Sequence, residues 1–167
     1  IKKITILLGI FFISGVTQVS AQEIKKIGKY KDWEAMVVSD ADGKVCFAQS
    51  LPILQAPKTN KRDAKLFVAF RPNDNIKNEV SVTPGYEFNK SNSVVAASGK
   101  SKFKFDIKEQ GFAWIADNKI ELKMIKQMRK GSRIMITGYN QQGSQTIDHY
   151  SLLGFTKAYN ASRKACS

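Results

Sequence analysis

The chain has 167 residues, 43% of them hydrophobic and 25% charged, with 11 Gly, 4 Pro and 2 Cys. That length and composition suit one compact domain and exclude a collagen, a disulfide-dense miniprotein and a disordered chain. Lys and Arg number 27 against 14 acids, a net charge of +13, which draws a protein toward phospholipid headgroups, lipopolysaccharide or acidic polymers.

At the N-terminus, Lys2 and Lys3 precede an apolar run from Ile4 to Val16, and Val19-Ser20-Ala21 follows as a small-x-small end. A charged start, a short apolar core and a V-x-A end make residues 1–21 a secretory signal peptide. The run is too short to span a bilayer, and no Cys follows it to carry a lipid. The expected product is a single β-sandwich domain over 22–167, periplasmic or secreted to the cell surface, with no transmembrane segment after the leader. Export in turn makes Cys46 and Cys166 a disulfide, since an even pair in an oxidising compartment closes. Such a bridge, near the two ends of the domain, stabilises by about 4–5 kcal/mol in the chain-entropy picture.

Taken in order, Asp32 to Ser39 reads as a strand, and Asp40-Ala41-Asp42-Gly43 as a hairpin turn with Gly43 at positive φ. The same four residues open like a calcium loop, but the remaining ligands are missing. Lys44 to Ser50 returns as a strand carrying Cys46. Leu66 to Arg71 is apolar enough to be buried on both faces and stops at Pro72-Asn73-Asp74-Asn75. Glu79 to Thr83 follows, with a turn at Pro84-Gly85. Lys102 to Lys108 alternates, placing Phe103, Phe105 and Ile107 on one face and Lys102, Lys104, Asp106 and Lys108 on the other. Phe112 to Ala116 continues the meander.

A helix follows, capped by Asp117 or Asn118, with Ile120, Met124, Ile125 and Met128 on its apolar face and Gly131 as its stop. Lys119, Lys123, Lys126 and Lys130 form one stripe along it. Ile134 to Tyr139 and Gln145 to Ser151 read as a hairpin, and Phe155 to Cys166 as a terminal helix with Thr156 as its cap. Many short strands with one or two short helices indicate a mostly β, antiparallel sandwich.

Asp148-His149-Tyr150-Ser151 holds the residue types of a hydrolase triad. In a strand, however, Asp148 and Tyr150 face away from His149 and Ser151, and no G-x-S-x-G elbow accompanies them. One His and two distant Cys do not make a zinc site, and no nucleotide loop is present. The chain is read as a non-enzyme with no cofactor and no metal. The competing reading is an envelope hydrolase that uses acids such as Asp106, Glu109 or Asp148, and a third is an adhesin-like factor in host contact. The basic side chains are mainly Lys rather than the bidentate Arg, and no RNP, zinc-finger or helix-turn-helix signature occurs, so nucleic acid is not the expected partner. Lys102, Lys104, Lys108, Lys119, Lys123, Lys126 and Lys130 are the expected surface for an anionic partner, either a protein or an envelope component.

The C-terminal third carries a more specific pattern. Met128-Arg129-Lys130-Gly131, Ile134-Met135-Ile136-Thr137-Gly138, the run from Asp148 to Ala158 and the final Cys166, with Trp33, Val45 to Ser50, Gly85-Tyr86 and Phe112-Ala113-Trp114 upstream, resemble the invasion-associated locus B family. His149 stands where that family more often has a small hydroxyl residue. The resemblance implies an exported bacterial protein with an immunoglobulin-like β-sandwich and no assigned catalytic activity. Packing also accounts for the Ser-Leu-x-Gly-Phe run, with Leu152 and Phe155 in the core and Gly154 at the bend.

Overall fold

The computed structural model describes residues 22–59 and 61–167; the expected signal peptide lies outside them. Strands β1 (Glu23–Tyr30), β2 (Trp33–Asp40), β3 (Gly43–Ser50), β5 (Lys65–Arg71), β6 (Ile76–Thr83), β9 (Ile107–Glu109) and β10 (Phe112–Trp114) form a seven-stranded sheet in the order β1-β2-β3-β5-β6-β10-β9. Strands β4 (Leu54–Ala56), β7 (Val94–Ser98), β8 (Ser101–Phe105), β11 (Arg133–Tyr139) and β12 (Gln145–Ser151) form a five-stranded sheet in the order β4-β12-β11-β7-β8. Every described pairing is antiparallel.

Alternation along each strand turns one face inward. Trp33, Ala48, Leu66, Val68, Val80 and Val82 from the larger sheet meet Val94, Ala96, Phe105, Ile134, Ile136 and Tyr150 from the smaller one in a single cluster. Two helices complete it. Helix α1 (Asn118–Lys130) contributes Met124, Ile125 and Met128, and α2 (Phe155–Ala165) contributes Phe155, Ala158 and Tyr159. The mostly β sandwich with two helices is thus the architecture observed.

Asp117 caps α1 by accepting from Lys119 N–H at 2.8 Å. Gly131 closes the helix in extended backbone, φ −83°, and donates to Gln127 O. Close packing against Ser98 and Leu152, rather than left-handed backbone, explains a glycine there. Thr156 does not cap α2; Gly154 takes that position with φ +92°. A Cβ on Gly154 would lie 1.7 Å from the carbonyl oxygen of Tyr30, so both the torsion and the close approach require glycine.

Two further expectations are corrected. Lys102 to Lys108 is not one strand. The chain leaves the smaller sheet after Phe105 and joins the larger one at Ile107, which reverses the facing of the residues beyond Asp106. Phe103 and Phe105 are buried as expected, whereas Ile107 is 46% exposed. Strand β5 is buried on its inner face through Leu66, Val68 and Phe70, but on its outer face at Ala69 and not at Phe67. Its outward Phe67 is half-buried, between Phe47 at 5.9 Å and Phe112 at 6.2 Å between ring centroids.

The disulfide joins Cys46 on β3 to Cys166 just beyond α2, across 120 positions. It fastens the C-terminal helix to the sheet on which that helix packs.

Candidate functional site

Strand β12 carries the triad-like residue types, and its two faces separate them. Asp148 points inward, 3% exposed, and accepts a bidentate ion pair from Arg62 with contacts of 2.6 and 2.9 Å. Arg62 also donates to Pro84 O, lies 5.7 Å from the Tyr86 ring, and has its backbone N–H and C=O held by the Gln55 amide. Asp148 is therefore consumed by a structural pair that fixes the connection leading into β5. Tyr150 lies on the same inner face, and burial, followed by the negative charge of Asp148, raises its hydroxyl far above the ordinary range. Ser151 accepts from Leu153 N–H through Oγ, while no hydrogen bond links it to His149. Asp106 and Glu109 are exposed, Asp106 beyond the end of β8 and Glu109 on β9 of the other sheet from Asp148. The three acids are not brought together. Among the described residues, no group of three or more His, Cys, Asp and Glu side chains is placed to hold a metal ion.

The lysines divide differently. Lys102 and Lys104 project from β8, an edge strand of the smaller sheet, and Lys119, Lys123, Lys126 and Lys130 from the outer side of α1, which packs on β8. All are exposed, and none enters an ion pair or side-chain hydrogen bond among the described residues. The helix's acid, Glu121, is buried. It accepts from Val80 N–H at 2.8 Å and from the Asn118 amide, so it neutralises nothing on the surface. Burial is the main cause raising the Glu121 carboxyl above its ordinary value near 4.5, and Glu79 and Asp117 add to it. Lys119 and Lys123, like Lys126 and Lys130, stand four apart, where like charges cost about 0.2–0.5 kcal/mol each.

Lys108 does not join this face. The switch of sheets turns it inward, and its ammonium donates to the carbonyls of Asn89, Lys90 and Asn92 at 2.8, 2.8 and 2.6 Å. Desolvation, with repulsion from Lys104 behind it, lowers its pKa. The ammonium, partly exposed, ties down the 89–92 loop.

Sequence reasoning missed two surfaces. On the outer side of the larger sheet, Phe47, Phe67, Phe112 and Trp114 line a shallow trough of about 370 Å³, edged by the Arg71–Glu79 ion pair. Period-two spacing of Phe112 and Trp114 was the available signal, since Ala113 between them is the residue that enters the core. At one end of the sandwich, Leu51, Ile53, Leu54 and Leu153 are exposed by 58, 52, 42 and 54%. The apolar Leu51-Pro52-Ile53-Leu54 string that follows β3 was the signal for the first three.

Among the described residues, no helix is long and apolar enough to cross a membrane. No curated protein matches the chain. A solved structure that it resembles is that of invasion associated protein B from Bartonella henselae, at a TM-score of 0.57 and 17% identity, covering 87% of this chain and 98% of that one. That likeness extends the two-sheet architecture to a second molecule. The model of the Invasion associated locus B (IalB) protein family matches residues 33–163, which span Trp33, Cys46, the β11–β12 hairpin and Gly154. On that match, which takes in most of the sandwich, the chain belongs to the invasion associated locus B family.

Proposed function

We propose that this chain is an exported, non-enzymatic protein of the bacterial envelope that binds an anionic envelope component. The observation that carries the reading is the set of uncompensated ammonium groups on β8 and α1: Lys102, Lys104, Lys119, Lys123, Lys126 and Lys130. Like charges four apart on a helix destabilise it, and an anionic partner relieves that repulsion. Charge focused on one face also speeds encounter with an anionic surface and makes the association sensitive to salt.

Export is supported by the Cys46–Cys166 bridge, which persists in oxidising compartments, and by the leader-like residues 1–21. The non-enzymatic reading is supported by the separation of Asp106, Glu109 and Asp148 and by the bidentate use of Asp148.

Crosslinking in intact cells, followed by extraction at low and at high salt, tests the reading. The expected capture is an anionic lipid or polysaccharide, held at low salt and released at high salt. A discrete protein partner that survives high salt contradicts it.

A further inference from the structure

The exposed aliphatic end of the sandwich is a second surface, and bonds between its segments hold it together. Ile53 N–H donates to His149 O at 2.7 Å, and Leu54 pairs with His149, which seats the β3–β4 connection beside β12. The β1–β2 turn closes the other side: Asp32 N–H donates to Leu153 O, and Asp32 O accepts from Ser50 Oγ at 2.7 Å. Leu51, Ile53, Leu54 and Leu153 therefore sit on adjoining segments, each half or nearly half exposed. Lys29, Lys31 and Lys65 line the cleft beside Leu51 and Ile53, and Lys157 lines the neighbouring cleft with Lys29 and Lys31. The acids present are Asp32, in the first cleft beside Glu34, and Asp63, which pairs with Lys65 at 2.6 Å. Glu34 is held by Lys26 at 2.6 Å. Lys29, Lys31 and Lys157 have no ion-pair partner among the described residues, so the rim carries an excess of positive charge.

We propose that this end inserts Leu51, Ile53, Leu54 and Leu153 into the surface of an anionic phospholipid bilayer, with Lys29, Lys31 and Lys157 on the headgroups. Protein interfaces are enriched in aromatic side chains and Arg and depleted in Lys, whereas here the exposed tips are aliphatic and the rim is lysine. Aliphatic tips gain by leaving water for the acyl boundary, and lysines around them meet anionic headgroups at the depth where their charge stays hydrated. The bonds from Asp32 and Ile53 hold the tips in place, so little ordering is needed on contact. The inference goes beyond the lysine face of β8 and α1 and shares with it only the envelope location.

The test uses the exported, disulfide-bonded chain and vesicles of phosphatidylcholine with and without phosphatidylglycerol. In L51W the added indole, read as a difference from the parent spectrum, shifts to the blue and is quenched by brominated acyl chains on the anionic vesicles alone. The double variant L51S/I53S keeps its melting temperature and partitions about tenfold or more weakly, because two apolar tips no longer leave water. Co-sedimentation of L51W with no change in emission overturns the insertion and leaves the lysine-face reading standing. Self-association that L51S/I53S abolishes, with no vesicle binding by the parent, also overturns it and gives the patch to a second copy. The variant K102E/K104E/K123E/K126E separates the two surfaces: it weakens envelope association while the blue shift of L51W in that background persists.

Discussion

The indole N–H of Trp33 donates to the carbonyl oxygen of Ser151 at 2.8 Å, across 118 positions of chain. Trp33 is fully buried and meets Phe155 edge-on, with ring centroids 4.8 Å apart. One side chain at the start of β2 thus fixes the end of β12 and the first residue of α2. Replacing it with Phe keeps an aromatic ring but leaves the Ser151 carbonyl without its donor, at a cost of about 1–3 kcal/mol. Urea unfolding of W33F should show a lower midpoint with an unchanged slope.

The Cys46–Cys166 bridge closes a loop spanning 120 positions. In the chain-entropy picture its removal costs about 4–5 kcal/mol. The paired variant C46S/C166S should lose most of that in chemical denaturation, and the parent should lose a similar amount on full reduction. Equal stability with and without reductant would contradict this.

Gly154 is a position with no substitute. Its φ of +92° disfavours side chains, and a Cβ would meet the Tyr30 carbonyl at 1.7 Å. G154A should therefore destabilise by about 3 kcal/mol or more, beyond the usual range for a surface alanine. The damage should appear first at the β1–β2 turn and the start of α2, where amide exchange would report it.

Glu121 gives the fold a pH dependence of definite sign. Its folded pKa is raised above the ordinary 4.5 by burial, so its favourable contribution is complete below that value and is lost as pH rises through the folded pKa. E121Q keeps an acceptor for Val80 N–H without the charge. The Gln variant should match or exceed the parent in melting temperature at neutral pH, and the difference should shrink as pH falls below 4.5. A difference that grows on acidification would have the wrong sign. E121A should be weaker than E121Q at every pH, by about 1–3 kcal/mol, because Val80 N–H loses its acceptor.

Much of the fold was legible where one face of a strand is buried and the other is not. Strands β2, β3, β11 and β12 show period-two patterning, and the residues from Asp117 to Gly131 show a cap, an apolar stripe and a stop. Strand β1 escaped notice because Glu23 to Ile27 are all exposed, which leaves no alternation to read. Strands β4 and β7 are short, and β7 is built of small residues. The division of the 102–108 segment was hidden for a different reason. Its alternation is unbroken in sequence, and only the topology shows that Asp106 separates two sheets. Lys108 went with that error: an ammonium held by three carbonyls looks, in sequence, like any lysine on a polar face. The Arg62–Asp148 pair joins positions 86 apart, and no local pattern announces it. The lysine face itself was readable from spacing on α1 and β8, because exposure there follows from the burial of the opposite face.

The most direct test of the envelope-binding account is the fraction of chain retained on isolated envelopes, measured for the parent and for K102E/K104E/K123E/K126E across a salt series. The expected result is strong retention of the parent at low salt, a steep fall as salt rises, and clearly weaker retention of the charge-reversed chain at low salt, with melting temperatures alike. Equal retention of the two chains at low salt would contradict it.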